Sequence, residues 1–303
     1  MNLQHHLERF HQAPGPTRAI LWALAAGFTF SVLNMMVRSL SLQLHPFETQ
    51  FLRNLFSVIA MLPLVLRSGW ASFMPSSVGG HFSRGAVHTL GITLWFYALP
   101  HLALADTTAI GYTGPIFTMI GAAYLLGEKM RWDRWVAAIV GFCGVLIVVG
   151  PRLAGSGDWY SLVMLASAPV FSLSFLLTKL LTRRDSPAVI VIWQGITVSV
   201  LSLPLALWFW TWPTPTQWLL FAVAGVLGSL GHFCITHSLK AADMSASQPV
   251  KFLDLMWATM WGFIVWGDTP SSYTLAGGVV IVGATIWIAR RESRRAHAEA
   301  HGR

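Results

Sequence analysis

Leu126-Gly127-Glu128-Lys129-Met130-Arg131-Trp132-Asp133-Arg134-Trp135 closes one apolar stretch and opens the next, and 140 residues later Trp266-Gly267-Asp268-Thr269-Pro270-Ser271-Ser272-Tyr273-Thr274-Leu275 does the same. In each copy a glycine–acid pair ends the stretch and a large residue, Trp135 or Leu275, stands seven positions after the acid. Small residues follow: Gly141 and Gly144 in the first copy, Gly277, Gly278 and Gly283 in the second. Small residues let helices approach closely in lipid. The first acid is followed by Lys129, Arg131 and Arg134, whereas no basic residue lies between Asp268 and Leu275. That contrast is expected when the two loops lie on opposite sides of a membrane.

Working outward, the 303-residue chain is 54% hydrophobic and 11% charged, with mean hydropathy +0.58. Soluble domains carry roughly 25% charged residues, so a single water-soluble domain is ruled out. Taking about 20 apolar residues as one membrane crossing, ten spans fit. They run Ile20–Val37, Pro46–Leu66, Gly85–Leu99, Leu104–Leu126 and Trp132–Gly150, then Trp159–Leu181, Ala188–Trp210, Thr216–Leu239, Ser247–Trp266 and Ser272–Ala289. No strand-like alternation recurs, and backbone groups in lipid must be satisfied internally, so the spans are helices. Five spans per copy is an odd number, which inverts the second copy relative to the first. The expected fold is an all-α polytopic membrane protein of ten transmembrane helices in two inverted five-helix repeats. Residues 18–150 and 157–290 hold the repeats, 1–17 an N-terminal tail and 291–303 a basic C-terminal tail.

Orientation follows the basic residues. With both termini in the cytoplasm, only Arg38 and Arg152 of the 20 Lys and Arg face outward and only Arg53 and Lys251 lie within spans. The net charge of +8 and pI near 10.1 thus have a topological cause, and contact of the tails with anionic lipid is expected. No soluble face is present to bind nucleic acid. His5, His6 and His11 sit in a polar start that lacks a small-residue cleavage site, so the first span is expected to stay uncleaved. Cys143 and Cys234 fall mid-span in different halves and read as small core residues. A complete inverted pair in one chain means that an oligomer is not required to form a pathway.

His45-Pro46, Phe51-Leu52-Arg53-Asn54, Leu126-Gly127-Glu128, Arg131 to Trp135 and Val140 to Val145 carry a family resemblance. The chain resembles the EamA-type branch of the drug/metabolite transporter superfamily over about Arg18 to Arg290, more closely in the first repeat. In the second, Asp268 stands where the family more often has Glu. The resemblance implies ten helices around a central cavity and alternating-access movement of small metabolites through the cytoplasmic (inner) membrane, with no one substrate.

Ionisable groups inside a bilayer cost at least roughly 2.5 kcal/mol on insertion scales and so mark candidate sites. Arg53 suits a carboxylate or phosphate, with pairing to Glu48 as the structural alternative. Lys251 and Asp254, three apart, share a helix face, as an inert pair or as a gate that binds a proton or substrate. Trp95, Tyr112, Trp193, Gln194 and Trp257 are the candidate lining of an aromatic cavity. Pro115 and Pro249 mark positions where helices four and nine can break around it. His88, His232 and His237 read as interhelical hydrogen-bonding residues ahead of proton relays, and Asp106 reads as a solvated cap.

No phosphate loop occurs, which argues against direct use of ATP, and neither G-x-S-x-G nor H-E-x-x-H is present for an intramembrane enzyme. A channel would want a polar stripe through the bundle. No metal or cofactor is called for. Inverted repeats are recurrent in secondary transporters, so the expectation is a secondary active carrier, with protons a candidate coupling ion. Export of an amino acid or related metabolite is the first reading. Uptake of a vitamin or nucleoside-like aromatic solute is the second.

Overall fold

The computed structural model describes residues 13–101, 110, 111, 113–128, 131–153, 159–266 and 272–301. Among these are ten helices of 13 residues or more and no strand: α1 Gly15–Ser41, α2 Pro46–Ser68, α3 Val78–Ala98, α4 Gly114–Leu126, α5 Trp132–Leu153, α6 Trp159–Leu181, α7 Pro187–Trp208, α8 Pro215–Ala241, α9 Asp254–Trp266 and α10 Ser272–His301. Five stretches, in α1, α2, α6, α7 and α8, are long and apolar enough to cross a membrane, and shorter apolar stretches lie in α4, α9 and α10. The chain is an all-helical polytopic membrane protein.

Local chemistry sets the helix starts. α2, α7 and α8 open with Pro46, Pro187 and Pro215 in the first turn, where a missing N–H costs nothing. Ser186 and Thr214 cap the latter two, and Thr214 forms a reciprocal capping box with Gln217. α4 ends at Gly127, whose φ of 67° provides the left-handed cap that a side chain would disfavour.

Several boundaries differ from expectation, two of them with consequences for buried charge. Ser77 caps α3 by accepting from Gly80 N at 3.1 Å, so the third helix begins at Val78 rather than Gly85. Arg84 therefore lies two turns inside a helix and is 1% exposed, not in a loop. α10 continues to His301, through the segment expected as a tail, and Arg291 Nε donates to Asp133 Oδ2 at 2.8 Å. The Gly267-Asp268 pair and the cap expected at Asp106 lie outside the described residues, as does the opening of the fourth span.

The packing has an internal two-fold pattern. Numbering each repeat one to five, α1 against α8 has its mate in α6 against α3, α2–α8 in α7–α3, and α4–α6 in α9–α1, while α2–α7 and α5–α10 are their own mates. Single residues repeat it. A Cβ added to Gly91 would meet the Phe171 ring at 3.0 Å, and one added to Gly231, 140 positions on, would meet Phe30 at 2.7 Å. Gly225 likewise admits the Phe56 backbone, where a Cβ would come within 2.5 Å, and its mate Gly85 admits Thr197. Serines join the same seams: Ser57 donates to Gly225 O at 3.0 Å and Ser229 to Ser57 O at 2.9 Å. Small and polar residues inside, with Leu, Val and Ile side chains exposed outside, suit a bundle whose solvent is lipid.

Candidate functional site

A cavity of about 280 Å³ lies between the repeats, bounded by α1, α2, α3, α4, α6, α8, α9 and the lead-in to α9. It falls just below the roughly 300–1,000 Å³ common for ligand pockets. Arg53, Lys251 and Asp254 are its charged lining groups, and His88 and His232 line it too.

The lead-in to α9 brings two of these in. After α8 the chain makes a helical turn, Met244–Ser247, then a 3₁₀ stretch, Gln248–Leu253, and only from Asp254 does it become α-helical. Pro249 falls in the 3₁₀ stretch, whose bonding differs from an α-helix. Pro115 falls in the first turn of α4, just after a turn at Thr113. Lys251 Nζ sits 4.1 Å from the centroid of the Phe175 ring, a cation–π contact. Asp254 reaches toward α1, where its Oδ1 occupies the space that a side chain on Gly27 would need. Among the described residues neither group forms an ion pair within 4.0 Å, although the two charges lie near enough to act on one another.

Arg53 is 4% exposed and donates to Asn54 Oδ1 at 3.2 Å. Its guanidinium lies over Gly228 of α8. Glu48 does not pair with it: that carboxylate accepts instead from Thr211 N at 3.1 Å and Thr211 Oγ1 at 2.8 Å. Trp95 also lines the cavity, with Phe30, Phe171 and Trp261.

Three expected lining residues stand elsewhere. Trp193 Nε1 donates to Phe73 O at 2.8 Å, tying α7 to the turn after α2. Trp257 is turned edge-on to Phe28 at 5.2 Å, and it is Trp261, one turn on, that reaches the cavity and donates to Ser31 Oγ at 3.0 Å. Gln194 lies behind the wall, where it accepts from Arg84 Nη2 and contacts His232 Nε2 at 2.8 Å. Tyr112 lies outside the described residues. His88, with Nδ1 3.0 Å from Ser174 Oγ, and His232 are both interhelical hydrogen-bonding residues, while His237 stacks on Trp22 at 4.9 Å. Arg84, expected from the sequence in a loop, is a buried cation beside this wall. Its Nε donates to Thr178 Oγ1 at 2.7 Å.

Where the basic loops gather, polar contacts fasten this arrangement. Glu128 Oε1 accepts from Met244 N at 2.8 Å, Lys179 Nζ donates to Leu239 O and Ala242 O, and Arg134 meets Asp243 at 3.3 Å. Asp185, between α6 and α7, accepts from Ser76 N and Oγ at 3.0 and 2.8 Å and lies 2.9 Å from His81 Nε2. Burial by itself would raise that carboxyl, but the bonds from His81 and Ser76 outweigh it and hold it below the ordinary carboxylate range.

The sequence matches the profile of the EamA-like transporter family over residues 17–150 and 158–290. Similar proteins include the S-adenosylmethionine uptake transporter of Rickettsia bellii (strain RML369-C), 30% identical over 273 residues, covering 90% of this chain and 94% of that one. The riboflavin transporter of Rhizobium johnstonii is 31% identical over 286 residues, covering 92% and 94%. The pseudopaline exporter CntI of Pseudomonas aeruginosa is 28% identical over 273, covering 89% and 95%. A solved crystal structure superposes with TM-score 0.76 at 20% identity over 91% of this chain and 98% of the other, a likeness of fold. With both repeats matched, the chain belongs to the EamA-like transporter family of the drug/metabolite transporter superfamily.

Proposed function

We propose that this chain is a secondary active, alternating-access carrier for an amino acid or related small metabolite, with Arg53 taking the carboxylate and Asp254 the ammonium. The observation that carries the reading is a guanidinium at 4% exposure that forms no ion pair among the described residues, lining the same cavity as the Asp254 carboxylate, which forms none within 4.0 Å. Buried charges are costly unless paired, and a zwitterion supplies the missing partner to each. Trp95, Phe30 and Phe171 offer faces to an apolar side chain. Lys251, held over Phe175, is available to exchange for Asp254 when the solute leaves.

S-adenosylmethionine, the solute named for the Rickettsia relatives, has an amino-acid head, which supports this reading. Riboflavin, named for another relative, supports a second: a planar aromatic solute stacked on the same rings. The cavity volume of about 280 Å³ suits a free amino acid better than either of these larger solutes, which are nearly equal in size. Residence in the inner membrane with both termini cytoplasmic is supported by the one-sided basic loops. The named relatives include uptake transporters and an exporter. Export is our assignment here, with protons the coupling ion.

The test is counterflow in proteoliposomes holding the purified full chain, with L-amino acids, S-adenosylmethionine and riboflavin as solutes. Saturable exchange of an amino-acid-bearing solute, lost in Arg53→Gln and in Asp254→Asn, is expected. Exchange of riboflavin alone, unchanged in both variants, would overturn the reading. An imposed pH gradient of either sign then reads direction and proton coupling.

A further inference from the structure

The geometry points to an anion subsite in one wall of the cavity, with Arg53 and His232 as its donors and with Arg84 and Gln194 as residues that fix how His232 presents itself. It rests on the carrier reading only for the source of the anion.

The chain of donors runs in one direction. A guanidinium only donates, so Gln194 must turn its Oε1 toward Arg84 Nη2. Its NH₂ then faces His232 Nε2 at 2.8 Å. An amide nitrogen donates as well, so that ring nitrogen accepts, and the neutral imidazole carries its proton on Nδ1. This N–H is buried without a partner, on a side chain that lines the cavity. Arg53 lies over Gly228, one helical turn before His232, and its Nε is also buried and unpartnered.

The groups facing this spot carry no acid. α3 contributes Arg84 and, one turn on, His88, whose ring meets that of His232 at 5.2 Å. α6 contributes the Ser174 and Thr178 hydroxyls, α7 the Gln194 amide, and α1 the Phe30 ring at 5.0 Å from His232. Neither arginine forms an ion pair among the described residues. The Arg53 guanidinium and a fixed imidazole N–H, held out of water with the Arg84 charge behind them, select an anion over a neutral acceptor, because only the anion also answers the charge. The chemical class is a carboxylate or a small inorganic anion such as a halide.

The experiment uses the detergent-purified full chain with ¹⁵N-labelled histidine, titrated with sodium bromide, and with Arg53→Gln carrying the same titration to remove general salt effects. The His232 resonances are assigned by their loss in His232→Gln. The expected result is an Nδ1–H tautomer in the wild type, a saturable bromide-dependent shift of that resonance, and no saturable shift in Arg53→Gln. Gln194→Glu, nearly isosteric, still accepts from Arg84 but offers His232 only an acceptor. It should switch the tautomer to Nε2–H and weaken bromide at least about tenfold, a change that loss of packing alone would not produce. Displacement of bromide by L-phenylalanine but not by L-phenylalaninamide assigns the subsite to a solute carboxylate; bromide binding indifferent to both assigns it to an inorganic anion. An Nε2–H tautomer in the wild type, or the same unsaturated response in wild type and Arg53→Gln, overturns the subsite. Counterflow lost in Asp254→Asn would leave the carrier reading standing in that case.

Discussion

Replacing Gly228 with alanine perturbs Arg53 without changing its charge. The new Cβ would stand 2.7 Å from Arg53 Nη2, 3.0 Å from its Nε and 2.9 Å from Ser57 Oγ. Ordinary contact lies at about 3.5–4.0 Å. Ser57 is held by bonds to Arg53 O at 3.1 Å and Gly225 O at 3.0 Å, so the guanidinium is the group that yields, by about 0.8 Å if it is to reach such a contact distance. A hydrogen bond to a charged group contributes roughly 1.5–3 kcal/mol, and a shift of that size forfeits a part near 1 kcal/mol. That converts to about a fivefold weaker hold on a carboxylate. Overpacking of the α2–α8 seam adds a stability cost of about 1–3 kcal/mol. Counterflow should therefore show KM rising about fivefold for the exchanged amino acid, and little change for its decarboxylated amine, which has nothing to place at Arg53. Equal change for both solutes, in protein that stays monodisperse, would refute the assignment of the carboxylate to Arg53.

Other perturbations reach different parts of the molecule. Asp254→Asn should weaken an amino acid at least about tenfold while sparing its des-amino analogue, since loss of a charged hydrogen bond is worth roughly 1.5–3 kcal/mol; competition in counterflow measures both. Lys179→Met removes a cation from the last carbonyls of α8, a favourable place for it. Hydrogen exchange over residues 244–253 should rise, and unchanged exchange would mean that Lys179 does not hold the lead-in to α9. For Asp185, a folded-state pKa below the unfolded value means that its stabilisation is complete above the unfolded value near 3.9 and is lost as pH falls through the lower folded one. Asp185→Asn should lower Tm by several degrees at pH 7 and flatten the acid limb below about pH 4. A variant with an unchanged acid limb would contradict the bonds from Ser76 and His81.

The parts of this molecule that were legible in the sequence are those with local signals. Length, hydropathy and the glycine–acid pairs locate the spans, and single charges inside them, Arg53, Lys251 and Asp254, point to the cavity because lipid leaves few other uses for a charge. Arg84 escaped because Ser76-Ser77-Val78-Gly79-Gly80 reads as loop, and only the Ser77 cap shows that the helix has already begun. Gln194 was noticed for the wrong reason. Its role is a contact with residues 110 and 38 positions away, which no local pattern encodes. Trp193, Trp257 and Trp261 differ only in which side of a helix they occupy, and that depends on how neighbouring helices rotate them.

What the repeats keep and what they change separates scaffold from site. Gly91 and Gly231, with Phe171 and Phe30 seated on them, retain the same packing in both halves. The cavity positions do not: Arg53 corresponds to Gln194 at a spacing of 141, while Lys251 and Asp254 correspond to Gly111 and Gly114 at 140. Helix seams must fit in both copies for the halves to close on one another, so their small residues are constrained twice. A solute occupies the cavity in one orientation and requires each charged partner once. A second Asp254 at Gly114, or a second Arg53 at Gln194, would bury a further charge in the same small volume with no solute group to answer it. Gly114→Asp is therefore expected to abolish exchange while leaving the α1–α8 and α3–α6 seams intact, as read by counterflow beside thermal unfolding. Retained exchange in that variant would mean that the cavity tolerates a symmetric charge pattern and that the divergence of the two repeats has another cause.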